Sequence, residues 1–234
     1  MLWSAVFAAV VAPLAAAHIV LSYPGTRGNN LITNDTFPYG MQWMYPCGGM
    51  TTSRNRTYWP TTGGAVSFQP GWFQGHSSAF IHINLGFGTD GPANGPPNMS
   101  LPMLKDVQLI GPSNTPYPGS VCFPQVPLPT NMTVKAGDLA TIQVVELAQH
   151  GAALYACVDI IFADPGDPKI ALVNDTNCVN SSDIGFADLY TIQVDEANGK
   201  INAIKSSSTS STVAAAQSLR LWPVVVGALL VGLM

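Results

Sequence analysis

Apolar and polar side chains alternate along several short stretches of the chain, as they do in half-buried β-strands. In the clearest stretch, 79–87, the apolar side chains from Ala79 to Leu85 fall on one face and His82 falls on the other. Residues 106–111, 141–147 and 153–162 are further strand candidates. The short turn at 149–151 predicts that the last two strands form a hairpin.

Connectors rich in Gly, Pro and Asn separate these strands, at 89–100, 111–119 and 123–131. No long stretch repeats its apolar residues at the 3.6-residue period of an amphipathic helix. We therefore expect an all-β fold, an antiparallel immunoglobulin- or fibronectin-like β-sandwich with long loops.

Charged residues are scarce: nine Lys or Arg and thirteen Asp or Glu make up 9% of the chain, against about a quarter in an ordinary soluble domain. The net charge of −4 excludes a nucleic-acid-binding protein held by a basic surface. The length of 234 residues suits one domain with a sizeable core.

Residues 1–17 form an apolar run that ends in Ala15-Ala16-Ala17, the kind of small residues that precede a signal-peptide cleavage site. A membrane anchor is the alternative, but this run is short for a hydrocarbon core of about 30 Å and contains Pro13. We expect cleavage after Ala17, so that the mature, exported protein begins at His18.

The C-terminal end has the order of a GPI-attachment signal: small residues from Ser206, a polar spacer, and an apolar tail over 221–234. That tail is short for the alternative, a tail-anchoring helix. We expect lipid attachment within 206–211, assigned to Ser207, and removal of 212–234. The organisation is then a domain over 18–198 and a Ser/Thr-rich linker over 199–211, tethered to the bilayer at the outer face of the plasma membrane and in the cell wall.

Cysteine number and glycosylation sequons agree with export. An even count of cysteines predicts two disulfides, and spacing alone allows three pairings of Cys47, Cys122, Cys157 and Cys178. Sequons of the form N-x-[ST] predict a glycosylated surface; they begin at Asn34, Asn55, Asn98, Asn131, Asn174 and Asn180.

His18 is the first candidate for chemistry, because an N-terminal histidine offers its α-amine and an imidazole nitrogen to one metal ion. With an imidazole from a second histidine, three nitrogens form the T-shaped set that tetragonal Cu(II) prefers, a histidine brace. His76 lies in a loop before a predicted strand, His150 lies in a turn, and His82 lies within a strand. We prefer His76 as the second imidazole, with His150 as the alternative.

Several motifs stand in one order along the mature chain: HIVLSYPGTRG at 18–28, CGG at 47–49, NRTYWPTTGG at 55–64, GHSSA at 75–79, VCFPQ at 121–125, and the stretch 140–160. In these motifs the chain resembles the fungal copper acquisition factors, surface proteins similar in fold to lytic polysaccharide monooxygenases. The resemblance covers essentially the whole mature domain. Its specific elements are the His start with Y-P-x-x-R-G and the Y-x-C-x-D strand.

This resemblance implies one Cu(II) ion per chain, held by His18, His76 and a carboxylate that matches Asp159. It also implies the disulfides Cys47–Cys157 and Cys122–Cys178.

The strand period supports Asp159 in part, because it places Tyr155, Cys157 and Asp159 on one face. A carboxylate on so apolar a strand needs a partner, either a metal ion or a Ser, Arg or backbone group. Asp138, in the turn KAGD, is the alternative carboxylate, although turn chemistry also explains it.

Catalytic monooxygenases commonly have Tyr or Phe at the axial position, so a carboxylate there implies copper binding rather than polysaccharide cleavage. No Ser-His-Asp, HExxH or zinc-type cysteine spacing competes, and nothing marks Glu146 or Glu196 as a glycosidase acid. Aromatic residues gather in the first third of the chain, as a sugar-stacking platform or as core: Tyr39, Trp43, Tyr45, Tyr58, Trp59 and Trp72.

Our primary hypothesis is a cell-surface Cu(II)-binding protein that is not an enzyme and acts in copper acquisition or cell-wall remodelling. Its partners are the copper ion, a membrane copper transporter or a cell-wall polysaccharide, and the lipid bilayer. The alternatives are a copper-dependent polysaccharide monooxygenase and a metal-free glycosylated wall protein in which His18 and His76 are accidental.

Overall fold

The computed structural model describes residues 19–28, 42–70, 78–91, 94–111, 119–187, 190–194 and 200–205. These residues form β-strands and contain no α-helix. The strands are β1 Val20–Tyr23, β2 Thr57–Pro60, β3 Gly64–Gln69, β4 Ser78–Gly86, β5 Leu101–Ile110, β6 Val121–Val126, β7 Leu139–Ala148, β8 Ala153–Ala163, β9 Gly185–Ala187, β10 Tyr190–Val194 and β11 Ile201–Lys205.

Two sheets enclose one apolar core and so form the predicted sandwich. The smaller sheet has the order β1-β3-β6 and the larger β2-β8-β7-β4-β5-β9, while β10 and β11 pair with each other. Buried side chains from both sheets pack together, among them Leu21, Phe68 and Val121 from the first and Ile83, Ile142 and Val158 from the second. The all-β sandwich is confirmed.

The central strands follow the predicted patterns. β7 and β8 form an antiparallel hairpin, with Leu139 opposite Ile161 and Leu147 opposite Ala153. On β4 the apolar face is buried, since Ile81, Ile83 and Leu85 are 0% exposed. The hairpin and the alternation are therefore confirmed.

Three segments differ from the expectation. β2 pairs parallel to β8, so the larger sheet is mixed rather than antiparallel; the two strands lie far apart in sequence, and no hairpin turn sets their direction. β6 occupies the first part of the expected connector 123–131, and its Pro124 is tolerated because β6 is an edge strand. β11 lies where a linker was expected from residue 199.

A loop over residues 42–56, here called the covering loop, lies over the outer face of β7 and β8. The Cys47–Cys157 disulfide ties it to β8, and Gln143 Nε2 donates a hydrogen bond of 2.6 Å to the Pro46 carbonyl. The second disulfide is Cys122–Cys178. Both pairings that the resemblance implies are present, and the covering loop explains why side chains on the outer face of β8 are buried.

The predicted signal peptide and the GPI-attachment region, with Ser207, lie outside the described residues. Within the described ranges, no helix is long and apolar enough to cross a membrane.

Candidate metal centre

A buried side chain holds the residue that follows His18. Ile19 is 0% exposed, and its carbonyl accepts a hydrogen bond of 2.9 Å from Gln42 Nε2. The Gln42 carbonyl accepts one of 2.7 Å from the backbone N–H of Tyr155. The start of β1 is therefore tied through Gln42 to β8, while His18 itself lies outside the described residues.

The chain after Ile19 advances toward the C-terminal part of β8. A Cβ placed on Gly25 would lie 3.9 Å from Val158 Cγ2, and the Arg27 N–H donates to the Cys157 carbonyl at 2.8 Å. Ile19 is thus linked near residue 155 and Arg27 near residues 157 and 158. Ile19 accordingly lies toward the side of the sandwich where β8 begins.

The start of β4 lies toward this same side. His76 lies outside the described residues, two positions before Ser78, which begins β4. The Ser78 carbonyl accepts a hydrogen bond of 3.0 Å from the Gln149 N–H in the turn between β7 and β8. The described residues Ile19 and Ser78 therefore both lie toward the end of the sandwich where β8 begins, and the brace itself stays a prediction.

The two other histidines have different surroundings. His82 Nδ1 lies 2.6 Å from Asp106 Oδ1, with side chains 28% and 60% exposed, so it holds a half-exposed strand position. His150 is exposed in the turn between β7 and β8. Within the described residues, no three His, Cys, Asp or Glu side chains lie close enough to hold a metal ion.

Asp159 lies in a buried polar cluster. Its carboxylate accepts hydrogen bonds from Arg27 Nε at 2.8 Å and Nη2 at 2.7 Å, from Thr141 Oγ1 at 2.6 Å, and from the Ser53 N–H at 2.7 Å. The side chains of Arg27 and Asp159 are 2% and 0% exposed. Two carboxylate oxygens offer about four acceptor positions, and these four donors use them. The sequence allowed either a metal ion or a protein group as the partner of Asp159, and the structure shows protein groups: Arg27, the Thr141 hydroxyl and the Ser53 N–H.

The strand register argues against Asp159 as a ligand of the ion that His76 would hold. Asp159 is opposite Thr141, which is opposite Gly86, eight residues along β4 from Ser78. At about 3.3 Å per residue, that separation is about 26 Å. Two residues of chain bring His76 at most about 7 Å closer. Coordinating atoms lie about 2 Å from their ion, so with this register we do not expect Asp159 and His76 to hold the same ion.

Asp138, the alternative carboxylate, is exposed in a turn, where its Oδ2 accepts a hydrogen bond of 2.8 Å from the Lys135 N–H. This is the turn chemistry that the sequence suggested.

Glu146 is a buried carboxylate that the sequence analysis did not single out. It is 0% exposed on β7, opposite Ile81 of β4 and Leu154 of β8. It shares its strand face with Ile142 and Val144, which belong to the core. Its β4 neighbour, Ile81, is three residues from Ser78 along that strand. The signal was present in the alternation of 141–147, where an acidic residue takes a core position.

The aromatic residues divide between core and surface. Trp59 is 0% exposed and belongs to the core, whereas Trp43 is 55% and Tyr45 48% exposed on the covering loop. Tyr58 is half-buried, with Lys169 Nζ 5.1 Å from its ring centroid. Tyr39 and Trp72 lie outside the described residues.

The sequons that the structure describes begin at exposed asparagines, Asn55, Asn98, Asn131, Asn174 and Asn180. The amide of Asn180 differs from the rest because it pairs with both backbone groups of Cys122, at 2.8 and 3.0 Å. Asn34 lies outside the described residues, and occupancy of the sequons other than Asn180 stays a prediction.

Comparison with known proteins gives one family. A sequence model described as copper acquisition factor BIM1-like matches residues 16–183. Two curated relatives are lytic polysaccharide monooxygenase-like proteins. One, X325 of Hypocrea jecorina, is 68% identical over 198 residues, 85% of each chain. The other, ham-7 of Neurospora crassa, is 61% identical over 210 residues, 90% of this chain and 92% of the relative.

A third relative, the lytic polysaccharide monooxygenase-like protein X325 of Aspergillus fumigatus, is 55% identical over 206 residues, covering 81% of this chain and 83% of its own. Among solved structures, the fusolin of Wiseana entomopoxvirus spindles overlaps 70% of this chain and 66% of its own, at a TM-score of 0.35 and 17% identity.

Proposed function

The chain belongs to the BIM1-like copper acquisition factor family. We propose that it binds one Cu(II) ion through a histidine brace formed by His18 and His76. The observation that carries the proposal is the placement of Ile19 and Ser78 at one end of the sandwich. The donors would be the α-amine and imidazole of His18 and the imidazole of His76. This all-nitrogen set suits tetragonal Cu(II).

A Cu(II) ion bound here would be held by the neutral nitrogen donors of His18 and His76 and would supply a cupric centre. The chain's own contribution is to hold the residue that follows the first donor, because the buried Gln42 side chain donates a hydrogen bond to the Ile19 carbonyl. A donor held by packing binds with less loss of conformational freedom than one on a free chain end.

We assign the carboxylate of the site to Glu146 rather than to Asp159. Glu146 is buried on the core face, opposite Ile81, which is three residues from Ser78 along β4. Asp159 lies toward the other end of the larger sheet, and Arg27, Thr141 and Ser53 already donate hydrogen bonds to its carboxylate. Groups next to metal ligands typically change metal affinity 10- to 100-fold when they are mutated. Glu146→Gln should weaken Cu(II) binding by about that factor and alter the electron paramagnetic resonance spectrum. An unchanged spectrum and affinity would remove Glu146 from the site.

The biological setting of this proposal is the outer surface of a cell, with export through the signal peptide and attachment through a lipid at Ser207. There the protein acquires copper, for a membrane copper transporter or for remodelling of the cell wall, and does not cleave polysaccharide. The family description supports the copper role.

The test is Cu(II) binding by the mature chain with His76→Ala against a matched variant, His150→Ala. His150 lies in the turn whose Gln149 N–H binds the Ser78 carbonyl, but only His76 has a role in the proposed brace. We expect His76→Ala to weaken binding at least 100-fold and to change the nitrogen hyperfine pattern, while His150→Ala leaves both as in the wild type. Equal effects of the two substitutions, or none, would overturn the proposal.

One observation favours a second candidate function, oxidation of a wall polysaccharide. Trp43 and Tyr45 are exposed on the loop whose Gln42 holds Ile19, so aromatic rings lie close to the N-terminal end of the chain. Aromatic rings of this kind stack on sugars. Reductant-dependent release of oxidised oligosaccharides from wall glycans by the copper-loaded protein would favour this candidate, and tight copper binding without such release would favour acquisition.

A further inference from the structure

A groove lies beside the covering loop, away from the end of the sandwich where Ser78 begins β4. It has a volume of about 820 Å³, and its walls include Arg54, Asn55, Tyr58 and Leu139. Leu139 begins β7 opposite Ile161, toward the Asp159 end of the sheet. The groove is therefore separate from the candidate metal centre.

The walls of this groove are fixed by hydrogen bonds. Arg56 Nη1 donates to the carbonyls of Ala140 at 2.8 Å and Ile160 at 3.2 Å, which ties the covering loop to β7 and β8. Thr52 Oγ1 donates to the Asn94 carbonyl at 2.6 Å and so joins two parts of the rim. The groove is thus preformed, which lowers the entropic cost of filling it.

The lining combines apolar and hydrogen-bonding groups in the way a sugar ring requires. Leu139 is 50% exposed and presents apolar surface, while the guanidinium of the exposed Arg54 and the hydroxyl of Tyr58 offer donors for sugar oxygens. Among the described residues that line the groove, none is acidic.

Asn55 is itself part of the wall and begins the sequon Asn55-Arg56-Thr57. Its side chain is exposed, and the hydrogen bonds of Asn55 with Ser53 involve its backbone groups, so the side-chain Nδ2 is available. A sugar attached there would be held beside the groove by a covalent bond. Such a tether gives an effective concentration in the millimolar range.

We propose that Asn55 carries an N-linked glycan whose inner sugars lie in this groove against Leu139, Tyr58 and Arg54. The attachment forms a bond between Asn55 Nδ2 and the anomeric carbon of the sugar. It breaks the bond from that carbon to the diphosphate of a lipid-linked oligosaccharide donor, which leaves as the diphosphate carrier, and Nδ2 loses one proton. The docked glycan covers the exposed side of Leu139 and supports the covering loop, whose Ser53 N–H binds Asp159.

The test uses the full chain secreted from a eukaryotic host, with site-resolved mass spectrometry of its glycopeptides. Endoglycosidase release at Asn55 is compared with release at Asn174, an exposed sequon that does not line the groove. We expect release at Asn55 to be at least tenfold slower in the native protein and equal after denaturation. Leu139→Ser, which removes apolar wall, should restore most of the native rate while Asn55 stays occupied.

A second measurement compares Asn55→Gln with Asn174→Gln, each of which removes one glycan. Asn55→Gln should lower the unfolding midpoint by more than Asn174→Gln does. An unoccupied Asn55 would overturn the proposal, as would native release at Asn55 as fast as at Asn174. Binding of a free oligosaccharide or a second copy of the chain in a groove that the Asn55 glycan leaves open would also overturn it.

Discussion

The buried pair of Arg27 and Asp159 makes a sharp prediction, because the structural role found here and the copper-ligand role suggested by the sequence give opposite results. Asp159→Asn keeps the size of the side chain and removes its charge. The Arg27 guanidinium, with a side chain 2% exposed, then remains charged and buried without its counter-ion. Breaking a buried pair in this way costs about 3–5 kcal/mol of unfolding free energy.

That cost sets the scale of the assay. For a chain of this size, 1 kcal/mol moves the unfolding midpoint by about 2–4 °C, so we expect Asp159→Asn to lower it by about 6–20 °C. The matched control is Asp138→Asn, in which an exposed turn carboxylate is removed and the change should stay below about 1 kcal/mol.

Two further measurements complete this test. The double variant Arg27→Met/Asp159→Leu removes both charges and should be much less destabilised than the sum of the single variants. The folded fraction of Asp159→Asn should bind Cu(II) within about twofold of the wild type, since Asp159 lies far from Ser78 along β4. Normal stability combined with a large loss of copper affinity would refute the reasoning and return Asp159 to the metal site.

Two other predictions concern single side chains. Burial raises the pKa of Tyr23 above 10.0, so its contribution to stability is complete below pH 10 and is lost as the pH rises through the higher folded value. Tyr23→Phe removes the hydrogen bond to the Ala171 carbonyl and should lower the free energy of unfolding by about 1 kcal/mol at neutral pH. The same variant should lose less stability than the wild type as the pH rises from 9 to 11. Urea unfolding measures this, and an equal loss of stability in both proteins would contradict the prediction. Asn180 should carry no glycan in the folded protein. Its Oδ1 accepts a hydrogen bond from the Cys122 N–H, and its Nδ2 donates one to the Cys122 carbonyl. The donated Nδ2 hydrogen lies on the same side as Oδ1, and it is the hydrogen that an attached sugar would replace. Full occupancy in glycopeptide mapping would show that this pairing does not form.

Local patterns in the sequence were enough to predict the centre of the fold. Period-two alternation identified β4, and the short turn between two apolar stretches identified β7 and β8, whose core faces are apolar apart from Glu146. Local sequence patterns failed where the position or pairing of a strand depends on residues far away in the chain. β6 contains Pro124, which reads as a breaker until the strand is known to be an edge, and the parallel pairing of β2 depends on a contact between residues about 100 positions apart.

The candidate site shows the same limit. The period of two correctly placed Asp159 on one face with Tyr155 and Cys157, but it indicates neither the end of the sheet nor the partner. The partner, Arg27, is 132 residues away, and only the three-dimensional structure brings it into contact. Glu146 was passed over because an acidic residue at one core position of an apolar strand looks like an exception until its burial is seen.

The most direct measurement for the central claim is calorimetric titration of Cu(II) into mature protein that begins at His18. A control form retains Ala17, so that His18 is no longer N-terminal and its amine becomes an amide. The account predicts tight one-to-one binding that the control loses, because the extra residue removes one of the three nitrogen donors. Equal affinity of the two forms, or weak binding by both, would contradict the histidine brace.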